Sequence, residues 1–185
     1  MLGYKKTQRL FSALAGCALI SVSSIVAFAA PGEVKADITV TGQVTVNGQA
    51  AITNSTVVSG STITTGANSS AIIGLGKNGR VELMPETSAT LKYTDNSIVA
   101  MLSSGSVRVS NAIGIGATVT TRTATAVADA GQANTFNVDI GCGETAKCSQ
   151  TRVRTASGLV TLKTSNISKQ VSAGTDSVAG GSQTG

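Results

Sequence analysis

The stretch from Gly60 to Glu86 reads GSTITTGANSSAIIGLGKNGRVELMPE. Ile63, Ala71 to Leu75 and Val81 to Met84 are short β-type runs, and Gly66-Ala67-Asn68 and Asn78-Gly79 between them are turn signals. The same punctuation continues along the chain. Residues 38–46 (ITVTGQVTV) alternate apolar and polar around Gly42-Gln43, and Asn47-Gly48 is a tight hairpin signal. Ala89, Leu91 and Tyr93 alternate with Thr90 and Lys92; Ile98 to Leu102, Val107 with Val109, Thr135 to Ile140, and Val160 with Leu162 continue the series. Residues 117–128 read as one long Thr/Ala/Val alternation, and Val171 to Gly174 as the last ordered element. No segment beyond residue 30 carries a sustained i, i+3, i+4 apolar pattern. The expected class is therefore all-β.

Strands about eight to twelve residues apart suit a sandwich, a barrel or a solenoid. Here composition decides the expectation. Tyr93 and Phe136 are the only aromatic residues after residue 30. A sandwich core of this size normally uses several large aromatics, whereas stacked solenoid coils fill a narrow interior with Val, Ile, Leu, Ala and Thr. The reading favours a β-solenoid, of the right-handed β-helix kind, with a β-sandwich as the alternative.

Residues 1–36 read as a signal peptide. Lys5, Lys6 and Arg9 form a basic start, and residues 10–30 are an uncharged, mostly apolar run. Val34 and Ala36 suit the −3 and −1 pockets of signal peptidase, which places cleavage between Ala36 and Asp37; a second cut lies after Ala29. Two alternatives stand beside this reading. Residues 10–30 are long enough to remain as a membrane anchor with the C-terminus outside, and Leu14-Ala15-Gly16-Cys17 matches a lipobox that would lipidate Cys17. All three place residues 37–185 in the periplasm or beyond, or on the outward face of the inner membrane. Residues 37–175 are then the folded β domain, and the Gly/Ser-rich residues 176–185 are expected to be a flexible tail.

The exported part carries two cysteines, Cys142 and Cys148, in GCGETAKCS. An even pair in an oxidising compartment favours a disulfide across this short loop. Zinc would need more ligands than these, and the chain has no His. A Ser-His-Asp triad is excluded on the same ground. Gly74-Leu75-Gly76-Lys77-Asn78-Gly79 fits G-x-G-x-x-G, but the residues after it continue as strand where a dinucleotide site needs a helix; it reads as a turn. No catalytic residue, metal ligand or cofactor-binding residue is assigned, and the chain is not expected to be an enzyme.

Charge narrows the partners. The formal net charge of +5 is concentrated at the N-terminus, and beyond residue 36 ten Lys/Arg face eight acids. These cations are spread singly apart from Arg152 and Arg154, so with two aromatics there is neither a phosphate footprint nor a base-stacking platform. Nucleic acid is not an expected partner. Arg152 and Arg154, two apart in a strand, project to one side and could meet an acidic partner. Glu82 is expected to face solvent beside Arg80.

Several segments taken in order resemble the FecR domain. Val40 to Gly48 (VTGQVTVNG), Gly60 to Gly66 (GSTITTG), Ser69 to Leu75 (SSAIIGL) and Gly79 to Leu83 (GRVEL) are similar to it. Leu102 to Val109 (LSSGSVRV), Val119-Thr120-Thr121, Phe136-Asn137-Val138, Val153 to Leu162 (VRTASGLVTL) and Val171 to Gly174 (VSAG) follow in the family's order. The resemblance covers residues 38–175. It implies a right-handed β-helix-like domain on the outer side of the inner membrane, which in iron-dicitrate sensors relays a signal from an outer-membrane transporter to a cytoplasmic sigma factor. Only nine residues precede Leu10, which leaves no room for the cytoplasmic anti-sigma domain, and the transporter-contacting module has no room either. The resemblance thus implies a stand-alone exported domain, a non-enzymatic binding or sensory scaffold whose partner is an envelope protein or polysaccharide. The alternative is a structural surface or matrix protein assembling through β-edges.

Overall fold

The period-2 alternation seen in the sequence becomes strands with one buried and one solvated face. The computed structural model describes residues 35–141 and 150–180. The expectations for residues 1–34, Cys17 among them, and for Cys142 and Cys148 fall outside the described residues. Ala36 and Asp37 open the first strand.

In chain order the strands are β1 (Ala36–Thr41), β2 (Val44–Val46), β3 (Gln49–Ala50), β4 (Ser55–Val57), β5 (Ser61–Thr65) and β6 (Ser70–Gly74). They continue with β7 (Gly79–Leu83), β8 (Ser88–Tyr93), β9 (Ser97–Ser104), β10 (Ser106–Asn111), β11 (Gly116–Thr120) and β12 (Thr125–Ala128). The last five are β13 (Asn134–Gly141), β14 (Gln150–Ser157), β15 (Leu159–Lys163), β16 (Ser168–Ser172) and β17 (Asp176–Ala179). Among the described residues the one helical element is a single 3-10 turn, Gly76–Asn78, and no helix is long and apolar enough to cross a membrane.

The strands form two open sheets. Sheet I runs β17-β14-β13-β10-β7-β6-β1-β4, and sheet II runs β16-β15-β12-β11-β9-β8-β5-β2-β3. The chain passes between them after every one or two strands. All described neighbours pair antiparallel except β9 with β11. A β-helix stacks parallel coils, so the solenoid expectation is not met and the sandwich alternative fits. Scarcity of aromatics does not exclude a sandwich here, because both inner faces are filled by aliphatic side chains. Ile38, Ile73, Leu83, Val107, Val109, Val138 and Val153 from sheet I join Ile63, Leu91, Ile98, Val119, Val160 and Leu162 from sheet II in one buried cluster. Phe136 is its largest fully buried member.

Corners between sheets are tight. β9 ends at Ser104 and β10 begins at Ser106, so Gly105 alone carries the chain from sheet II to sheet I, at φ +82°. Thr87 seals this corner. Its hydroxyl accepts from the Ser106 amide at 2.9 Å and donates to the Ser106 carbonyl at 3.1 Å. The loops elsewhere are tied by buried asparagines. Asn78 Nδ2 donates to the Thr94 and Asp95 carbonyls, Asn111 Nδ2 to Ile115, and Asn134 Nδ2 to Gln132, while Asn134 Oδ1 accepts from the Leu159 amide.

Two local expectations are corrected. Residues 117–128 are not one strand but the hairpin β11–β12, turned at Thr121 to Ala124. The Thr121 hydroxyl accepts from the amides of Thr123 and Ala124, so a side chain provides the turn that no Gly or Pro announced. Nor do residues 176–185 all form a tail: Asp176–Ala179 are β17, paired with β14, with Ser177 and Ala179 buried. Residues 181–185 lie outside the described residues.

Candidate functional site

Outward positions of the two sheets differ in chemistry. Those of sheet II are mostly hydroxyl and apolar: Thr62 and Thr90 pair across β5 and β8 at 2.8 Å, and Val99 and Met101 follow on β9. Sheet I instead gathers guanidinium groups. Its cross-strand register places Arg80 opposite Ser110, Ser110 opposite Thr135, Glu82 opposite Arg108, Arg108 opposite Asn137, and Asn137 opposite Arg154. These residues alternate with Val81, Val109, Val138 and Val153, which point into the core. The pleat therefore puts them all on the outer face.

The result is a shallow depression of about 430 Å³ lined by Arg80, Arg108, Arg154, Asn137 and Thr135, and closed by Thr155, Ala156 and Gly174. Arg108 is held in place. Its Nε donates to Asn137 Oδ1 at 2.9 Å, and its Nη1 lies 3.5 Å from Glu82 Oε2. Ser110 and Thr135 share a hydroxyl–hydroxyl hydrogen bond of 3.1 Å in the same row. Arg80 and Arg154 are exposed and form no ion pair among the described residues.

The structure separates the two arginines that the sequence put together. Both sit on β14 and face outward. Arg152 turns to Asp176 on β17, Nε to Oδ2 3.9 Å, and lies outside the depression. Asp176 stands opposite Arg154 in register, yet its carboxylate reaches Arg152. Arg154 joins Arg80 and Arg108 instead. Those two were not singled out from the sequence, because they lie on β7 and β10, 74 and 46 positions before Arg154. Glu82, expected beside Arg80, pairs with Arg108 on the next strand.

The glycine fingerprint does not form a phosphate cradle. Gly76–Asn78 is one 3-10 turn between antiparallel β6 and β7, and buried Asn78 is spent on the Thr94 and Asp95 carbonyls. Among the described residues no three of His, Cys, Asp and Glu come together as a metal site would require. The outer face of sheet I offers charge-assisted hydrogen bonding. On the same face the Ser106 hydroxyl of β10 donates to the Asp139 carboxylate of β13.

No family model and no curated protein matches the chain. Solved structures do. Two crystal structures of a candidate anti-sigma factor from Parabacteroides distasonis ATCC 8503, at 1.65 and 2.50 Å resolution, superpose with a TM-score of 0.52 and 15% identity. The match covers 63% of this chain and 53% of that one, so the chain spans about half the length of the protein it resembles. The likeness is one of fold.

Proposed function

We propose that this chain is an exported, non-enzymatic FecR-like domain that acts as a binding or sensory scaffold in the bacterial envelope. The observation that carries the reading is the likeness of fold, over 63% of this chain, to a protein described as a candidate anti-sigma factor. It is supported by the order of FecR-like segments from Val40 to Gly174 and by a polar, basic face on sheet I that suits ligand capture better than covalent chemistry. Export brings with it a signal cut near Ala36 and Asp37, a disulfide between Cys142 and Cys148, and a partner among envelope proteins or polysaccharides. The test joins cell fractionation with a pull-down from envelope extract. Periplasmic or outward-facing location and a specific captured component are expected; a cytoplasmic location, or capture no better than an unrelated exported domain, would refute the reading.

A second reading, a surface or matrix protein assembling through β-edges, draws on the sheet ends. Among the described residues β3, β4, β16 and β17 each pair on one side only, and Ile52, Val58, Ile167 and Val178 are exposed near them. Sedimentation separates the two: a monomer that does not change with concentration eliminates assembly.

A further inference from the structure

We infer that the Arg80–Arg108–Arg154 depression binds a linear glycan that carries repeated carboxylates, of the polyuronate kind. This rests on the reading of the chain as an exported binding domain and names the ligand class of its basic face.

Three observations lead there. First, the charge is one-sided where a ligand would sit. The residues lining the depression include three arginines and no acid. Of the carboxylates on this face, Glu82 pairs with Arg108 and Asp176 with Arg152, while Asp139, two residues from Asn137 on β13, accepts from the Ser106 hydroxyl. A guanidinium already fixed by Asn137, as Arg108 is, loses less freedom when it grips a carboxylate than a free one would.

Second, the charges are spread. β7 and β14 are separated by β10 and β13, about 14 Å at about 4.8 Å per strand, and Arg80 lies two residues off the row of Arg108, Asn137 and Arg154, so the backbones of Arg80 and Arg154 are about 16 Å apart. An extended ligand that carries more than one anionic group can meet both ends of that span. A chain with a carboxylate on each unit can serve all three.

Third, the lining is hydrophilic. Ala156 is its largest apolar side chain, and Asn137, Thr135 and Ser110 stand between the arginines. Protein hot spots are enriched in Trp, Tyr and Arg, and this depression offers the arginines without an aromatic or large apolar anchor beside them. Hydroxyl groups of a sugar chain match the amide and hydroxyls between the cationic positions.

The probe is polygalacturonate, measured by calorimetry or biolayer interferometry against the full mature chain. Methyl-esterified polygalacturonate, galacturonate monomer, dextran sulfate and poly-glutamate serve as comparison arms. Expected are salt-sensitive binding of polygalacturonate, loss with the methyl ester, and much weaker binding of the monomer. Arg80→Ala and Arg154→Ala should each weaken binding about fivefold, the upper size of one solvent-exposed ion pair. Arg152→Ala, which removes equal charge two residues away, should leave it within about twofold. Circular dichroism melts confirm that each variant is folded. Equal effects of Arg152→Ala and Arg154→Ala, undiminished binding of the methyl ester, or no salt-sensitive binding would overturn the inference. Tighter binding of poly-glutamate would assign the face to an acidic protein instead, and equal binding of dextran sulfate with the same arginine dependence would remove the carboxylate preference; each also overturns it. A chain that captures an envelope component yet ignores polygalacturonate loses this ligand class alone, and the binding-domain reading stands.

Discussion

Replacing Gly105 by Ala tests how the two sheets are joined. Gly105 has φ +82°, where an L-residue costs about 1–2 kcal/mol. A Cβ there would sit 2.3 Å from the Thr87 hydroxyl, 2.6 Å from its Cα and 2.7 Å from the Glu86 carbonyl. Two of those three contacts are backbone, so no side-chain rotation relieves them, and overpacking of this kind costs about 1–3 kcal/mol. If Thr87 moves, its hydroxyl also gives up its bonds to the Ser106 amide and carbonyl, about 1 kcal/mol for each. The sum, about 4–7 kcal/mol, compares with a whole-domain stability of about 5–15 kcal/mol. Gly48 supplies the control: its φ is +79°, in a hairpin turn after Asn47 at φ +52°, and nothing lies within 4 Å of its would-be Cβ. Gly48→Ala should therefore cost only the backbone term, about 1–2 kcal/mol. Urea unfolding of the two variants and the parent, followed by circular dichroism at equal slope, reads the difference. Equal losses for Gly105→Ala and Gly48→Ala would show that the close approach to Thr87 carries no energy and would refute the account of the corner.

Other substitutions probe other parts of the fold. Phe136→Ala should destabilise by about 3–5 kcal/mol in the same urea assay, because the largest buried side chain would leave a cavity between sheets with few bulky neighbours to refill it. Thr121→Val keeps the volume but removes the hydroxyl that accepts from the Thr123 and Ala124 amides and meets Thr151 at 2.6 Å; a loss of about 1–2 kcal/mol is expected, with faster amide exchange in the β11–β12 turn. Removing residues 176–185 should lower the melting temperature, since β17 covers one edge of β14 and buries Ser177 and Ala179; an unchanged melt would restore the tail reading. A chain beginning at Asp37 should be less stable than one beginning at Ala30 by about 1 kcal/mol, because it lacks the buried methyl of Ala36 opposite Val57. Intact mass of the exported protein reports which of the two cuts is used.

How far the sequence reached depends on the range of the interaction concerned. Alternation is a property of neighbours in the chain, so β5 to β10 were legible within one or two residues, and Asn47-Gly48 marked its own hairpin. Where the turn was made by a threonine hydroxyl, in a chain so rich in threonine, nothing distinguished Thr121 from the strand residues beside it. The edge strand β17 was missed because its Asp, Ser, Val and Ala resemble the Gly/Ser-rich stretch that follows; only pairing with β14 makes it a strand.

What the amino-acid order settled by itself is local: the all-β class, the inward and outward positions along each strand, and the lack of histidine that removes a Ser-His-Asp triad. Sheet membership is not local. A period of two says which side chains are buried and is the same for parallel coils and antiparallel sheets, so the sandwich could emerge only from which distant strands hydrogen-bond. The basic face follows the same rule. Arg152 and Arg154 share a side of one strand, as their spacing requires, yet Asp176 draws off the first, while pairing through β10 and β13 brings the second to Arg108 and Arg80.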